Sequence, residues 1–402
     1  MKSLRSYNRH FLTGTGIIAA VYLAQNMLSF ALPLLALEIS GTGAGFALIT
    51  GAGFVPNILF AIFVGVINDR IRKATGFRAY SILLALSCAA LWLLMVTDLV
   101  NLAALAVFMI ALNLLGYAIG NLQFTLLRLT VPHTDLSDAT SLSSAINSTI
   151  STVGPALGGL ALYLIGGTGL VGLVTLLLAV SMAAAYTVTP EEPDPTPAPF
   201  WPSLREGFVV FSRNRELVMM TIAVVLTNAA AGAFTVAMIL KLKTGLGAND
   251  FQVGLVAAVG GVGSIIASGY APRLRRWLGY RAAFYWPIWV LALICLAGAG
   301  APTLWLLFII SFFEGAFSIF YAIGVWSYRQ ESTEAAHMGR VAGITGAIFK
   351  LLMPPVIFLA GVLTDAEAVA AAFWLAASLN IAAAIFLTTV AGWGWPRRPV
   401  AA

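Results

Sequence analysis

Two ionisable side chains, Glu314 and Lys350, stand in long stretches of sequence that otherwise hold almost no charge. A carboxyl whose access to water alternates can load and release a proton, because its charged form depends on solvation. It can equally be the fixed partner of a buried cation, and Lys350, in the next apolar stretch, is such a cation. Lys350 in turn admits two readings, a structural ion pair or contact with an anionic group on a bound molecule. A charge in the middle of a membrane helix costs about 2.5–3.5 kcal/mol on insertion scales, so each must be paired or face water. Asn26, Asn113 and Asn228 lie in other apolar stretches and offer hydrogen-bond donors and acceptors. No catalytic or metal-binding set accompanies them. His10, His133 and His337 fall in separate polar segments without metal-ligand spacing, and no G-x-x-x-x-G-K-S/T phosphate loop occurs. Cys88 and Cys295 are far apart and read as small packing residues. The sequence therefore calls for no cofactor or metal, argues against ATP drive, and does not describe an enzyme.

The elements that must position these groups are membrane helices. Of the 402 residues 60% are hydrophobic and 9% charged, against roughly 25% charged in soluble domains. Apolar runs occupy 12–37, 45–67, 79–97, 100–122, 139–165, 168–188, 217–240, 251–271, 282–300, 303–326, 341–363 and 368–390. These twelve runs are near the ~20 residues a helix needs to cross the hydrocarbon core. They are too long and too continuously apolar for the strands of a barrel. The first run exceeds a signal-peptide core and reads as a retained helix. No filter-like loop or ring of charge suggests a channel. The net charge of +6 is a matter of placement, not of a nucleic-acid partner. If the N-terminus is cytoplasmic, nineteen of the 22 Lys and Arg fall in inner segments, only Lys241 and Lys243 in outer ones, and Lys350 within a span. That asymmetry predicts both termini in the cytoplasm.

The segment 189–216 divides the chain. Its first part, with Pro190, Pro193, Pro195, Pro197 and Pro199, reads as an extended hydrated linker. Trp201, Leu204, Phe208 and Phe211 then recur at helical spacing with Arg205, Glu206 and Arg213 between them, which predicts a short amphipathic surface helix. Six spans precede it (1–188) and six follow it (217–402). The halves also match each other: residues 70–79, RIRKATGFRA, align without gaps to 273–282, RLRRWLGYRA. In similar register Asn26 faces Asn228, Arg128 faces Arg329 and Pro155 faces Pro355. Two parallel repeats with substrate bound near the midplane between them is a known plan for alternating access.

Residues 65–73, GVINDRIRK, resemble the G-x-x-x-D-R-x-x-R-R/K signature of the major facilitator superfamily. The resemblance implies an all-α membrane protein of twelve helices in two pseudo-symmetric six-helix bundles. It further implies that Gly65 lets span 2 pack on span 11, and that Asp69 docks near the start of span 11, where a helix N-terminus favours an anion. Gly65, Asp69, Arg70, Arg72, Lys73 and, at span 11, Arg340 would then form a conformational gate. The second copy has Pro272 in place of the acid, so only the first carries the full lock. Gly154, Pro155, Gly158 and Gly159 in span 5 are similar to the G-P-x-x-G-G motif of antiporter branches. The stretch 30–38, FALPLLALE, and Arg329-Gln330 followed by Gly339-Arg340-Val341 resemble the drug:proton antiporter group, which includes macrolide efflux pumps and the enterobactin exporter.

In that fold spans 1, 4, 7 and 10 line the cavity, which assigns Asn26, Asn113, Asn228 and Glu314, with Tyr22, Tyr117 and Tyr321, to substrate. Lys350 joins them from a similar depth on span 11. Proton coupling falls to Glu314, with Glu38 at the rim of span 1 as the next candidate. The implied function is proton-coupled efflux of a small lipophilic, drug-like compound by a monomer in the bacterial cytoplasmic (inner) membrane. Its partners would be that small molecule, protons and membrane lipids. Alternatives are export of a siderophore, translocation of a lysophospholipid-like amphiphile, or proton-coupled uptake.

Overall fold

The computed structural model describes residues 9–131, 135–187, 200–334, 337–366, 368–390 and 392. Among these it is helical throughout, without strands. The elements are α1 (Arg9–Ser40), α2 (Gly43–Ala52), α3 (Val55–Leu59), α4 (Ala61–Arg70), α5 (Lys73–Val96), α6 (Leu102–Thr130) and α7 (Leu136–Ala185). There follow α8 (Phe200–Arg213), α9 (Arg215–Leu240) with a π turn at Lys241–Gly245, α10 (Asp250–Gly300), α11 (Leu304–Ser332), α12 (Met338–Ile348), α13 (Met353–Asp365) and α14 (Val369–Thr389). Among the described residues ten helices are long and apolar enough to cross a membrane. One of them, α7, contains spans 5 and 6, while span 2 is broken into α2, α3 and α4.

The breaks have local causes. Gly166 (φ 68°, ψ 177°) and Gly279 (φ 75°, ψ 163°) hold conformations that a side chain would disfavour, and each bends a continuous helix into two arms. Pro56 opens α3, and Pro354 and Pro355 open α13, because a missing N–H interrupts the helical ladder. Asn101 and Asn214 cap α6 and α9 by accepting from the backbone N–H of Ala104 (2.9 Å) and Leu217 (3.0 Å). The aligned basic loops differ in backbone. In the first, α4 ends at Arg70 and α5 begins at Lys73, with Ile71 and Arg72 extended. In the second the helix runs on through Arg273–Leu278 and turns only at Gly279.

The chain forms two compact units: Met1–Gly41, Ala52–Pro199 and Asp250–Gly254; and Thr42–Gly51, Phe200–Asn249 and Leu255–Ala402. In the first, α7 lies along α1 and α5, and α6 packs on both. In the second, α9 is flanked by α13 and α14, with Phe234 edge-on to Phe373 at 5.7 Å. Small residues set the closest approaches there. Gly260 and Gly263 of α10 meet Ser311, Phe312 and Gly315 of α11 at backbone distance. Ser264 Oγ donates to Gly315 O (2.8 Å) and Ser311 Oγ to Val256 O (2.7 Å). Spacing small residues four apart lets membrane helices pack this closely.

The helix α8 packs along one apolar edge and leaves the other exposed. Phe211 and Leu204 pack with Leu217, Val341 and Ile344, whereas Trp201 and Phe208 are exposed.

Candidate functional site

In the first unit the polar residues of α1 and α6 meet through Gln25. Gln25 Nε2 donates to Asn113 Oδ1 (3.3 Å) and lies against Gly116. Asn113 Nδ2 turns back to Met109 O (3.0 Å). Asn26 Nδ2 donates to Tyr22 O on its own helix (2.8 Å), and its Cβ abuts Gly154 of α7. Tyr22 and Tyr117 are half-buried on α1 and α6. Gln25 was not among the residues singled out above. The only signal for it was a second amide beside Asn26 in an apolar span.

The glycines of the Gly154–Gly159 motif are contact points. A methyl on Gly158 would sit 2.8 Å from Met27 O of α1, and one on Gly159 would strike Asp250 O at the start of α10. Gly254 is the reciprocal contact, facing Pro155 O. The motif therefore has close helix packing as its physical content here.

In the second unit a polar stripe runs along α11. Ser318 Oγ donates to Glu314 Oε1 (2.8 Å), Tyr321 OH donates to Asn228 Oδ1 (2.8 Å), and Tyr328 OH donates to Glu216 Oε2 (3.1 Å). Glu314, Ser318, Tyr321 and Tyr328 lie four, three and seven residues apart, which keeps them on one helix face. Asn228 Nδ2 in turn donates to Phe349 O (3.1 Å). That carbonyl lies at the break between α12 and α13, so the amide of α9 supplies a hydrogen bond where the ladder is interrupted. Lys350 is the next residue along and is half-buried.

This chain of bonds ties α11, through Asn228, to the residue before Lys350, while Glu314 stands seven residues before Tyr321 on α11. Among the described residues no ion pair joins Glu314 to Lys350; the carboxyl is held by Ser318, a residue the sequence reading did not single out.

Of the gating residues, the side chains of Gly65 and Asp69 lie outside the described residues. Lys73 Nζ donates to Asn68 O and closes the turn after α4, and Arg70 and Arg72 are exposed. Asn68, within the signature, is buried: its amide donates to Ala118 O (3.2 Å) and accepts from Tyr80 OH (2.9 Å), tying α4 to α6 and α5. Arg340 Nη1 meets Glu206 Oε2 at 2.5 Å, joining α12 to α8. Glu38 is exposed at the C-terminal end of α1.

The arrangement combines apolar spanning helices, a few convergent hydrogen-bonding groups, one carboxyl and one ammonium. The chain belongs to the Major Facilitator Superfamily, which it matches over residues 15–355. It is thus a multi-pass membrane transporter of small molecules, a secondary transporter and not an enzyme. No curated protein sequence matches it. Among solved structures it is similar to a variant of the nucleoside transporter NupG (TM-score 0.75, 13% identity, 94% of this chain and 99% of that one). It is similar also to a bacterial homologue of the iron transporter ferroportin in an inward-facing state (0.74, 14%, 96% and 98%). A third is the POT family transporter PepTSo (0.73, 11%, 95% and 98%). At these identities the likeness is one of fold.

Proposed function

We propose that this transporter exports a small lipophilic, drug-like compound in exchange for protons, as its resemblance to the drug:proton antiporter group implies. In this reading residues 1–188 and 217–402 are the two repeats of an alternating-access cycle, and 189–216 is the cytoplasmic linker. The protein works as a monomer surrounded by lipid in a bacterial cytoplasmic membrane. The observation that carries the reading is Glu314, a half-buried carboxyl within a spanning helix whose described hydrogen-bond partner is a neutral hydroxyl. A group so placed has no fixed counter-charge to lock its protonation state, which is what a proton carrier requires.

The test is accumulation of fluorescent lipophilic dyes in cells with and without the protein. Energised cells that make it are expected to hold less dye, and a protonophore should erase the difference. Equal dye content in the two energised strains would sink the proposal.

Orientation follows from the basic residues. A C-terminal reporter that fluoresces only in the cytoplasm is expected to be bright, and a dark but well-expressed fusion would reverse the topology.

Asp69 is the gating carboxylate of this reading, acting with Gly65, Arg70, Arg72, Lys73 and Arg340. A carboxylate at a helix N-terminus contributes about 1–2 kcal/mol when partly buried, so Asp69→Asn should slow transport roughly five- to thirtyfold. Yield and melting temperature should stay near wild type. Transport at the wild-type rate would remove Asp69 from the gate.

A further inference from the structure

Four basic side chains of the second unit have firm partners. Arg275 pairs with Glu331 (2.6 Å), Arg281 with Glu216 (2.8 Å) and Arg340 with Glu206 (2.5 Å). Lys241 Nζ donates to Gly298 O (2.8 Å) and Ala299 O (2.9 Å). Two others, Lys350 within a candidate span and Arg329 in the last turn of α11, are half-buried, and among the described residues neither is ion-paired. Arg329 Nη1 donates to Thr345 Oγ1 (3.0 Å), while its Nε is buried without a hydrogen-bond partner. Thr345 is itself fully buried and already donates to Val341 O (2.7 Å), so it offers the guanidinium one neutral contact. Lys350 lies five residues beyond Thr345, past the end of α12 at Ile348 and next to the carbonyl that Asn228 holds. The carboxyl of Glu314 accepts from Ser318 instead.

A buried cation without a counter-charge is expensive, and an anion from outside the protein removes that expense. We propose that the substrate carries an anionic group on an apolar body, and that Lys350 and Arg329 are two successive positions for that group. A guanidinium fork and an ammonium both suit a carboxylate, sulfonate or phosphate. The apolar body has aromatic neighbours: Phe349 is buried beside Lys350, and Tyr321 stands edge-on to Phe284 at 6.4 Å. The Tyr321–Asn228–Phe349 bonds position Lys350 by pinning the residue before it. This inference rests on the reading of the chain as an exporter of lipophilic compounds and narrows their charge.

The test is equilibrium binding by calorimetry to the full chain in nanodiscs, with no proton gradient. Three probes are compared: anilinonaphthalene sulfonate, lysophosphatidylglycerol and the cation tetraphenylphosphonium. At least one anion should bind more tightly than the cation. That binding should weaken roughly thirtyfold or more in Lys350→Gln, the usual effect of removing one partner of a buried charge pair. Arg329→Gln should weaken it less, and Lys350→Arg should largely preserve it. Binding of the sulfonate alone identifies a free lipophilic anion, and binding of the lysophospholipid alone identifies a lipid headgroup. Preference for the cation, or undiminished anion binding in folded Lys350→Gln, overturns the inference. If Lys350→Gln does not fold, the anion preference of the wild type and the behaviour of Lys350→Arg decide. Failure of gradient-driven dye export leaves a Lys350-dependent anion site standing. Export of a cationic dye without anion binding removes the anion site and leaves the exporter.

Discussion

Glu314→Gln is expected to abolish uphill transport driven by a proton gradient while leaving substrate binding and downhill exchange measurable. Glutamine matches glutamate in size, and its carbonyl can still accept from Ser318 Oγ, the bond seen in the structure. What it lacks is a proton to carry. A carboxyl that served as a strut for Lys350 would behave differently, because its removal would strand a buried cation at about 3–5 kcal/mol and the variant would express poorly or melt early. Among the described residues Glu314 accepts from Ser318 and forms no ion pair with Lys350, which argues against a strut, so the melting temperature should stay near that of the wild type. The double variant Glu314→Gln, Lys350→Met separates the roles further, since it would rescue a strut but not a coupler. Uphill pumping by a stable double variant would exclude Glu314 as the proton carrier and leave Glu38 and Asp69 as the remaining candidates.

The largest loss of stability is expected one residue away. A methyl built on Gly315 would collide with the carbonyl of Gly260 across the α10–α11 contact, and Gly260 meets Ser311 in return. The obstacle is backbone on both sides, so no rotamer change relieves it. Overpacking a well-filled contact costs about 1–3 kcal/mol and occasionally more, and Gly315→Val, with its branched Cβ, should reach at least the upper end of that range. Separating the helices would also weaken the bonds from Ser264 to Gly315 and from Ser311 to Val256. Thermal melting of the detergent-purified variant is the measurement. A Gly315→Val protein that melts with the wild type would mean that the two helices do not approach as described. Any loss of transport in that variant would be secondary, through displacement of the neighbouring Glu314.

The all-α membrane fold was legible because lipid permits so few alternatives. A backbone in hydrocarbon must satisfy itself within one long apolar helix, so composition and run length alone revealed the spans. The breaks were not read: 45–67 and 341–363 were expected as continuous spans, although Pro56 and Pro354-Pro355 interrupt them, whereas Gly154, Gly158 and Gly159 announced a close contact by being small. Charged and amide residues inside the spans were legible as candidates for the same reason that the spans were: they are costly there.

Partnership was not legible. Gln25 and Asn26 are neighbours in sequence, yet successive residues of a helix point about 100° apart, so one reaches Asn113 on α6 while the other faces Gly154 on α7. Asn26 and Asn228 align between the repeats, but Asn26 bonds within its own helix whereas Asn228 bridges α9 to Tyr321 and to the break before Lys350. Counting inward from the ends of the spans put Glu314 and Lys350 at one depth. What the packing decides is their partners: Glu314 accepts from Ser318 on its own helix, and Lys350 follows the carbonyl that Asn228 of α9 holds. The sequence by itself determined that the chain spans a membrane many times and which polar residues it carries across. Tertiary structure decided which of them touch, because the rotation and axial offset of one helix against another come from side-chain packing between segments far apart in the chain.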